Sequence, residues 1–151
     1  MHKLYITDGI VLGKRGVGEA NALVMVLTRE HGLLRAHARS SRVERSKLRY
    51  GLEMLSEGRF TFVRGRREWR LTGVKDVRND FRHSDAAKRR SAGRVARLLL
   101  RLIHGEEVSS ALYMSVIEGL RSILHAEGRA IENIEALLVL RILFHLGYLP
   151  D

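Results

Sequence analysis

The sequence predicts an α+β protein, a small closed barrel of five strands followed by an all-helical part. Two observations carry that prediction. Up to about residue 80 the apolar residues alternate with the period of strands and are punctuated by turn-forming glycines. After Phe81 the period lengthens to that of an amphipathic helix and stays there. Five short strands with no long helix among them suit a barrel. The expected division is therefore a barrel domain over residues 1–80 and a helical domain over 81–151.

The strands follow in order. "LYITDGIVLG" sets Leu4, Ile6, Ile10 and Leu12 on one face, interrupted by Asp8. "GKRGVGEA" reads as a hairpin tip carrying two exposed cations, Lys14 and Arg15. Its glycines fall as G-x-x-G-x-G, and no Gly-Lys-Ser/Thr opens a following helix, so it is not a phosphate loop. "ALVMVLT" (22–28) is apolar on both faces and rich in strand formers. "REHG" follows, with Gly32 suited to the positive φ of a turn, and "LLRAHAR" returns as the third strand. "EGRFTFVR" and "EWRLTGVKDV" alternate around "RGRR", a second hairpin with Gly65 at its bend.

Three helices complete the chain. Ser84 is placed as the N-cap of the first, which runs over 85–104 with Ala92, Val95, Leu99, Leu102 and Ile103 as its apolar stripe. "HGEEVSS" breaks the pattern before a second helix with Tyr113, Val116, Ile117, Leu120, Ile123 and Leu124 inward. The third, about 131–146, buries Ile134, Leu137, Leu138 and Ile142 and stops at Gly147, with Pro150 just beyond.

Charge is the most informative bulk property. The formal net charge is +10 with a pI near 10.8. Residues 1–101 hold 24 basic and 10 acidic side chains, whereas residues 102–151 hold 3 and 7. Charge kept only for solubility would be mixed in sign, so this asymmetry points to a polyanion. With 45% hydrophobic residues the chain can bury a core. The absence of cysteine excludes disulfides and thiolate metal sites. No apolar run approaches the ~18 residues that span a bilayer. Asp8 interrupts the apolar N-terminus, which is not a signal peptide, so a cytoplasmic location is expected, with no membrane partner.

No constellation for catalysis emerges. The seven histidines, at 2, 31, 37, 83, 104, 125 and 145, form no ligand-spaced pair, and no metal or other cofactor is expected. Ser40, Ser41 and Ser46 sit among arginines without a nucleophile elbow, and the clustered carboxylates of two-metal chemistry are missing. The chain reads as a binder and not an enzyme, with no small-molecule substrate.

Two basic features would do the binding. "ARSSRVERSKLR" (38–49) carries Arg39, Arg42, Arg45, Lys47 and Arg49 against one acid, Glu44, in an exposed connection between strands. Like charges held this close cost energy unless they meet phosphates, which arginine forks and serine hydroxyls can do. On the first helix Arg90, Arg94, Arg97 and Arg101 are spaced 4, 3 and 4 and share one side. At 1.5 Å per residue they span ~16 Å. Aromatic residues are few near the loop: only Tyr50 adjoins it, and Phe60, Phe62 and Trp69 are either core or stacking platforms.

These segments carry a resemblance. "GIVLGKRGVGEANALVMVLTREHGLLRAHARSSR", then "RSKLRYGLEMLSEGRFTFVRGR" and the late "LFHLGYLPD", resemble the bacterial RecO family of recombination mediators. The likeness runs through nearly the whole chain and is tightest over 9–65. Glu19-Ala20 before a strand, "TREHG", the arginine-serine loop and the terminal Gly-Tyr-Leu-Pro are each moderately specific; their order and spacing are specific together. The resemblance implies an OB-fold barrel and a helical C-terminal domain. It implies a non-catalytic role in DNA repair and recombination: binding single- and double-stranded DNA, annealing complementary strands and helping to load recombinase. The implied partners are single-strand-binding protein and RecR, and the implied location is the bacterial cytoplasm, in association with the nucleoid. DNA-contacting positions map to Arg39, Arg42, Lys47 and Arg49, with Arg45 added. Many members continue past the Gly-Tyr-Leu-Pro position and often carry a four-cysteine zinc site. Here cysteine is absent, so a helical domain reduced relative to the family is expected, in a short member or a truncated chain. The competing reading is an OB-fold adaptor for RNA or a ribosomal partner.

Overall fold

The computed structural model describes residues 3–39 and 51–150. Five strands, β1 (Leu4–Val17), β2 (Asn21–Thr28), β3 (Gly32–Ala38), β4 (Glu57–Arg64) and β5 (Trp69–Arg78), close into a barrel in the order β1-β2-β3-β5-β4. Among the described residues, three helices follow: α1 (Ala86–Leu102), α2 (Ser110–His125) and α3 (Arg129–His145). This is the OB-fold with a helical layer, as the alternation and its change of period predict.

Closure depends on β1, which serves two neighbours. Its first half pairs with β4, from Leu4↔Val63 to Ile10↔Glu57, and its second half pairs with β2, from Gly9↔Thr28 to Val17↔Asn21. Gly9 stands where the strand passes from one partner to the other. A Cβ there would meet Val26 Cγ1 at 2.8 Å and Leu27 O at 3.2 Å, so only glycine lets the backbones approach. A register shift between Val11 and Gly13 bends the strand further. The last seam is short and parallel, Ala36↔Trp69 and His37↔Arg70. The turn between β2 and β3 uses Gly32 at φ +70, as its sequence predicts.

The core has two layers separated by the sheet. Val11, Val24, Val26, Leu34, Ala36, Phe60, Phe62, Trp69 and Leu71 fill the barrel. On the outer face Ile10, Leu12, Leu27 and Leu33 join Val95, Leu99, Val116, Leu120, Leu138 and Ile142 of the helices in one cluster. The two apolar faces of "ALVMVLT" are thereby both used: Ala22, Val24 and Val26 inward, Met25 and Leu27 against the helical layer.

Some local expectations are corrected. Leu4, Ile6, Ile10 and Leu12 do share a face, but it is the outer one. The helices cover only Ile10 and Leu12, leaving Leu4 and Ile6 57% and 48% exposed. The N-cap of α1 is Asp85, whose carboxylate accepts the Lys88 N–H at 3.0 Å; Ser84 instead donates its hydroxyl to Phe81 O. Leu137 is not buried: it lies on the outer side of α3 with Leu140 and Phe144. Phe60, Phe62 and Trp69 are interior, which settles the choice between core and stacking platform.

A clamp joins α1 to α3. Glu135 accepts from Arg94 Nη2 at 2.6 Å and Nε at 3.0 Å, and from the Ser91 hydroxyl at 2.6 Å. The Arg94 guanidinium holds the Glu135 carboxyl below the usual carboxylate range; partial burial opposes this, and the Ser91 hydroxyl assists it. A depressed folded pKa contributes stability that is present above the unfolded value and lost as pH falls through the folded one.

Two outcomes follow. Thermal melts of Glu135→Gln against the parent should differ most at neutral pH and converge as pH drops below ~4; a gap that persists in acid would show that the clamp acts through packing alone. Leu99→Ala, in the shared outer cluster, should cost about 2–5 kcal/mol. Barrel and helices should then unfold in one transition, with no cut near residues 80–84 in limited proteolysis releasing two stable halves.

Candidate nucleic-acid interface

The strand registers show where the basic side chains gather. Lys14, Val24, Ala36 and Trp69 stand opposite one another across β1, β2, β3 and β5, and Val24 and Ala36 are fully buried in the barrel. The next row, Arg15, Leu23, His37 and Arg70, must therefore face outward, since opposed residues share a side and successive ones alternate. Neighbouring strands lie ~4.8 Å apart, so this row crosses ~14 Å of sheet. Arg35, two residues before His37, is exposed on the same outer face. Arg39, exposed, directly follows β3.

Beside Arg39 stands the β4–β5 hairpin. Arg39, Gly65, Arg66, Arg67, Glu68 and Arg70 line a cleft of about 500 Å³. The hairpin is braced at three points. Gly65 N–H donates to Glu68 O at 2.8 Å and closes the turn. Glu68 Oε2 lies 2.9 Å from His37 Nε2, tying the tip to β3. Trp69, buried at the barrel's end, donates its indole N–H to Glu106 at 2.7 Å and carries the Arg64 guanidinium 5.3 Å from its ring centroid. Among the described residues, no ion pair engages Arg39, Arg66, Arg67 or Arg70. The one acid in the lining is held by a histidine, and four guanidinium groups are left to face a ligand.

The expected site residues are placed unevenly. Arg42, Arg45, Lys47 and Arg49, together with Tyr50, lie outside the described residues. Lys14 and Arg15 are exposed but do not form the hairpin tip: they sit within β1, paired with Val24 and Leu23, and the turn lies at 18–20 because the strand pairing continues to Val17↔Asn21. On α1, Arg90, Arg97 and Arg101 are exposed, and no ion pair holds them among the described residues. Arg94 is engaged by Glu135. The scarcity of acids within α1 leaves that pairing unforeseen, because the partner comes from another helix. Leu100 packs toward Gly13, where a Cβ would approach it to 3.2 Å, so Arg97, one turn before it, flanks the strand that carries Arg15.

The density of the hairpin arginines is legible in the sequence; their place in a site is not. "RGRREWR" places Arg64, Arg66, Arg67 and Arg70 within seven residues, which is as dense as the loop. What the pattern lacks is the knowledge that this hairpin folds against the end of β3. A second cleft, of about 300 Å³, lies against α2; there Arg29, Arg59, Arg78 and Arg121 are balanced by Asp8, Glu57 and Asp76. Burial raises the Glu57 carboxyl, with Arg121 opposing, and pushes the Tyr113 hydroxyl up to about 12. Its mixed charge makes it a poor phosphate track. Among the described residues no group of three His, Asp or Glu is placed to hold a metal.

Comparison with known proteins identifies the family. Residues 1–79 match the family model described as Recombination protein O N terminal. Over 150 residues the chain is 29% identical to the DNA repair protein RecO of Heliobacterium modesticaldum, covering 99% of this chain and 54% of that protein. It is 30% identical to that of Thermodesulfovibrio yellowstonii, covering 97% and 59%, and 45% identical over 53 residues to that of Streptomyces griseus, covering 35% and 21%. The chain thus spans about half the length of the curated relatives that it matches end to end. A barrel built on these motifs and a match over more than half the residues lead to one conclusion: the chain belongs to the RecO family.

Proposed function

We propose that the protein is a non-catalytic DNA-binding protein of recombinational repair, and that it binds single- and double-stranded DNA through the outer face of its barrel. The observation that carries this is the cleft of Arg39, Arg66, Arg67 and Arg70, whose guanidinium groups have no ion-pair partners among the described residues. It lies between the end of β3 and the β4–β5 hairpin, the region of an OB-fold that receives nucleic acid. Arg42, Arg45, Lys47 and Arg49, which lie outside the described residues, follow Arg39 in sequence and add four positive charges. Guanidinium forks suit phosphate oxygens, and the phosphate backbone carries no base information, so binding should tolerate any sequence.

The same chemistry supports strand annealing. Two complementary strands repel through their phosphates, and a basic surface offsets that repulsion. Phe60 and Phe62 are 0% exposed and Trp69 only 6%, so these three rings are not offered to stack on the bases. Bases left unstacked by protein remain free to pair. Recombinase loading, and contacts with single-strand-binding protein and RecR, belong to the same reading and rest on family membership.

Annealing of complementary oligonucleotides, with and without single-strand-binding protein, tests the reading; no acceleration by the protein would contradict it. Direct binding should be strongly salt-dependent. About eight cations on one strand, five from the loop segment and three from the hairpin, predict a slope of log K against log salt of about −5 to −6 at ~0.7 per contact. Charge reversal of Arg39 and Arg42 should weaken binding almost uniformly across sequences, while reversal of Arg121 and Arg129 should matter much less. A slope near zero, or tighter binding to RNA than to DNA at matched salt, would favour a different ligand.

A further inference from the structure

We infer that the outer face of α3 is the seat of a twofold, antiparallel contact with a second copy of this chain. The inference does not depend on the nucleic-acid reading above. α3 packs chiefly on α2 and α1, with Leu138 and Ile142 buried in the shared cluster. At ~100° per residue, Leu137, Leu140 and Phe144 fall together on the opposite side. Each of the three is 52% exposed, and Tyr148, just past the helix, is 56% exposed. The helix therefore carries two apolar stripes. One is buried by its neighbours and the other stands in water, where a helix apolar on both sides calls for cover.

The pattern of that face fits a copy of itself. Leu137, Leu140 and Phe144 have the alternating 3 and 4 spacing of a helix-pairing seam, which exposed Asn133 extends by one step. A twofold axis beside Leu137 and Leu140 sets each against the other residue of the second copy, and Phe144 against Asn133. It also runs the two helix dipoles in opposition. Charge completes the match. A groove of about 240 Å³ between α2 and α3 has Glu118 and Arg141 in its lining. Its floor depends on Gly119, where a Cβ would come within 2.6 Å of the Leu138 methyls. Among the described residues neither Glu118 nor Arg141 has an ion-pair partner. The twofold operation places both copies of α2 on the same side of the seam, so Arg141 of each copy reaches toward Glu118 of the other.

The distribution of charge favours the same approach. Residues 1–101 hold 24 basic and 10 acidic side chains, so two barrels repel each other. Residues 102–151 hold 3 and 7, and copies that meet through α3 bring their less charged sides together. The area sets the strength. Four large side chains at half exposure offer on the order of 100 Å² each, about 800 Å² for the pair before the rim is counted. That lies below the ~1,200–2,000 Å² of stable complexes, so the dimer is weak and forms in the micromolar range. One such particle carries two arginine clefts.

Analytical ultracentrifugation of the 151-residue chain without nucleic acid, from about 1 to about 200 µM, tests this. The weight-average mass should rise from 17.2 kDa toward twice that value as concentration increases. Leu140→Lys with Phe144→Glu, exposed positions whose variant should melt like the parent, should hold the mass at that of one chain throughout. Glu118→Arg alone should weaken association at least about tenfold, and adding Arg141→Glu should restore it. A parent that stays at 17.2 kDa across the range would overturn the inference and leave the face to a partner of another kind. Association that survives the Leu140 and Phe144 changes would place the contact elsewhere and overturn it equally. A charge swap that fails to restore pairing would overturn the antiparallel arrangement.

Discussion

Burial of β1 and β2 on both faces is the constraint on which the rest of this structure depends. Val11, Val24 and Val26 fill the barrel while Ile10, Leu12 and Leu27 on the other side require cover, and the helices supply it. An outer apolar face left in water would forfeit ~25 cal/mol for each Å². The helical layer is thus fixed to one side of the barrel. The rest of the outer surface, from Arg15 across to Arg70, stays open: its outward residues are polar or charged apart from the half-buried Leu23. Packing decides where the site can be, and charge decides what it can hold.

Like charges then do the selecting. Arg39, Arg66, Arg67 and Arg70 gather around one cleft with a single acid, and that acid is turned to His37. Several arginines elsewhere are balanced: Glu135 takes Arg94, Glu57 takes Arg121, and Asp80 takes Arg78. Ion pairs at exposed positions contribute ~0–1 kcal/mol each, so the pairing elsewhere is not what holds the fold. Its consequence is electrostatic contrast. A polyanion approaching from solvent meets a compensated arginine, Arg121, on α2 and uncompensated ones beside the β4–β5 hairpin, and a field of that kind steers association.

Much of the fold was legible because it depends on local periodicity. The five strands, both hairpin glycines and the three helices follow from alternation, turn chemistry and stop signals, all of which act within a few residues. What was not legible is tertiary. Alternation groups Leu4 and Ile6 with Ile10 and Leu12 but cannot say that α1 ends its cover before reaching them. Leu137 has the spacing of a core residue and faces outward because the contacts of α3 run through Leu138 and Ile142. Ser84 and Asp85 are both competent caps, and their choice is made by a hydroxyl that prefers Phe81 O. At the site, "RGRREWR" is dense enough to notice, yet its meaning depends on the parallel β3–β5 seam, two residue pairs long and spanning 33 residues of sequence.

The central claim is that these hairpin arginines and Arg39 meet phosphate together. Side-chain Nε–Hε signals of the arginines, followed by NMR as a short oligonucleotide is titrated in, report on that contact residue by residue. Arg39, Arg66, Arg67 and Arg70 should shift along one binding curve while Arg121 and Arg129 stay still. Shifts confined to Arg29, Arg59 and Arg121, in the mixed-charge cleft against α2, would contradict the account.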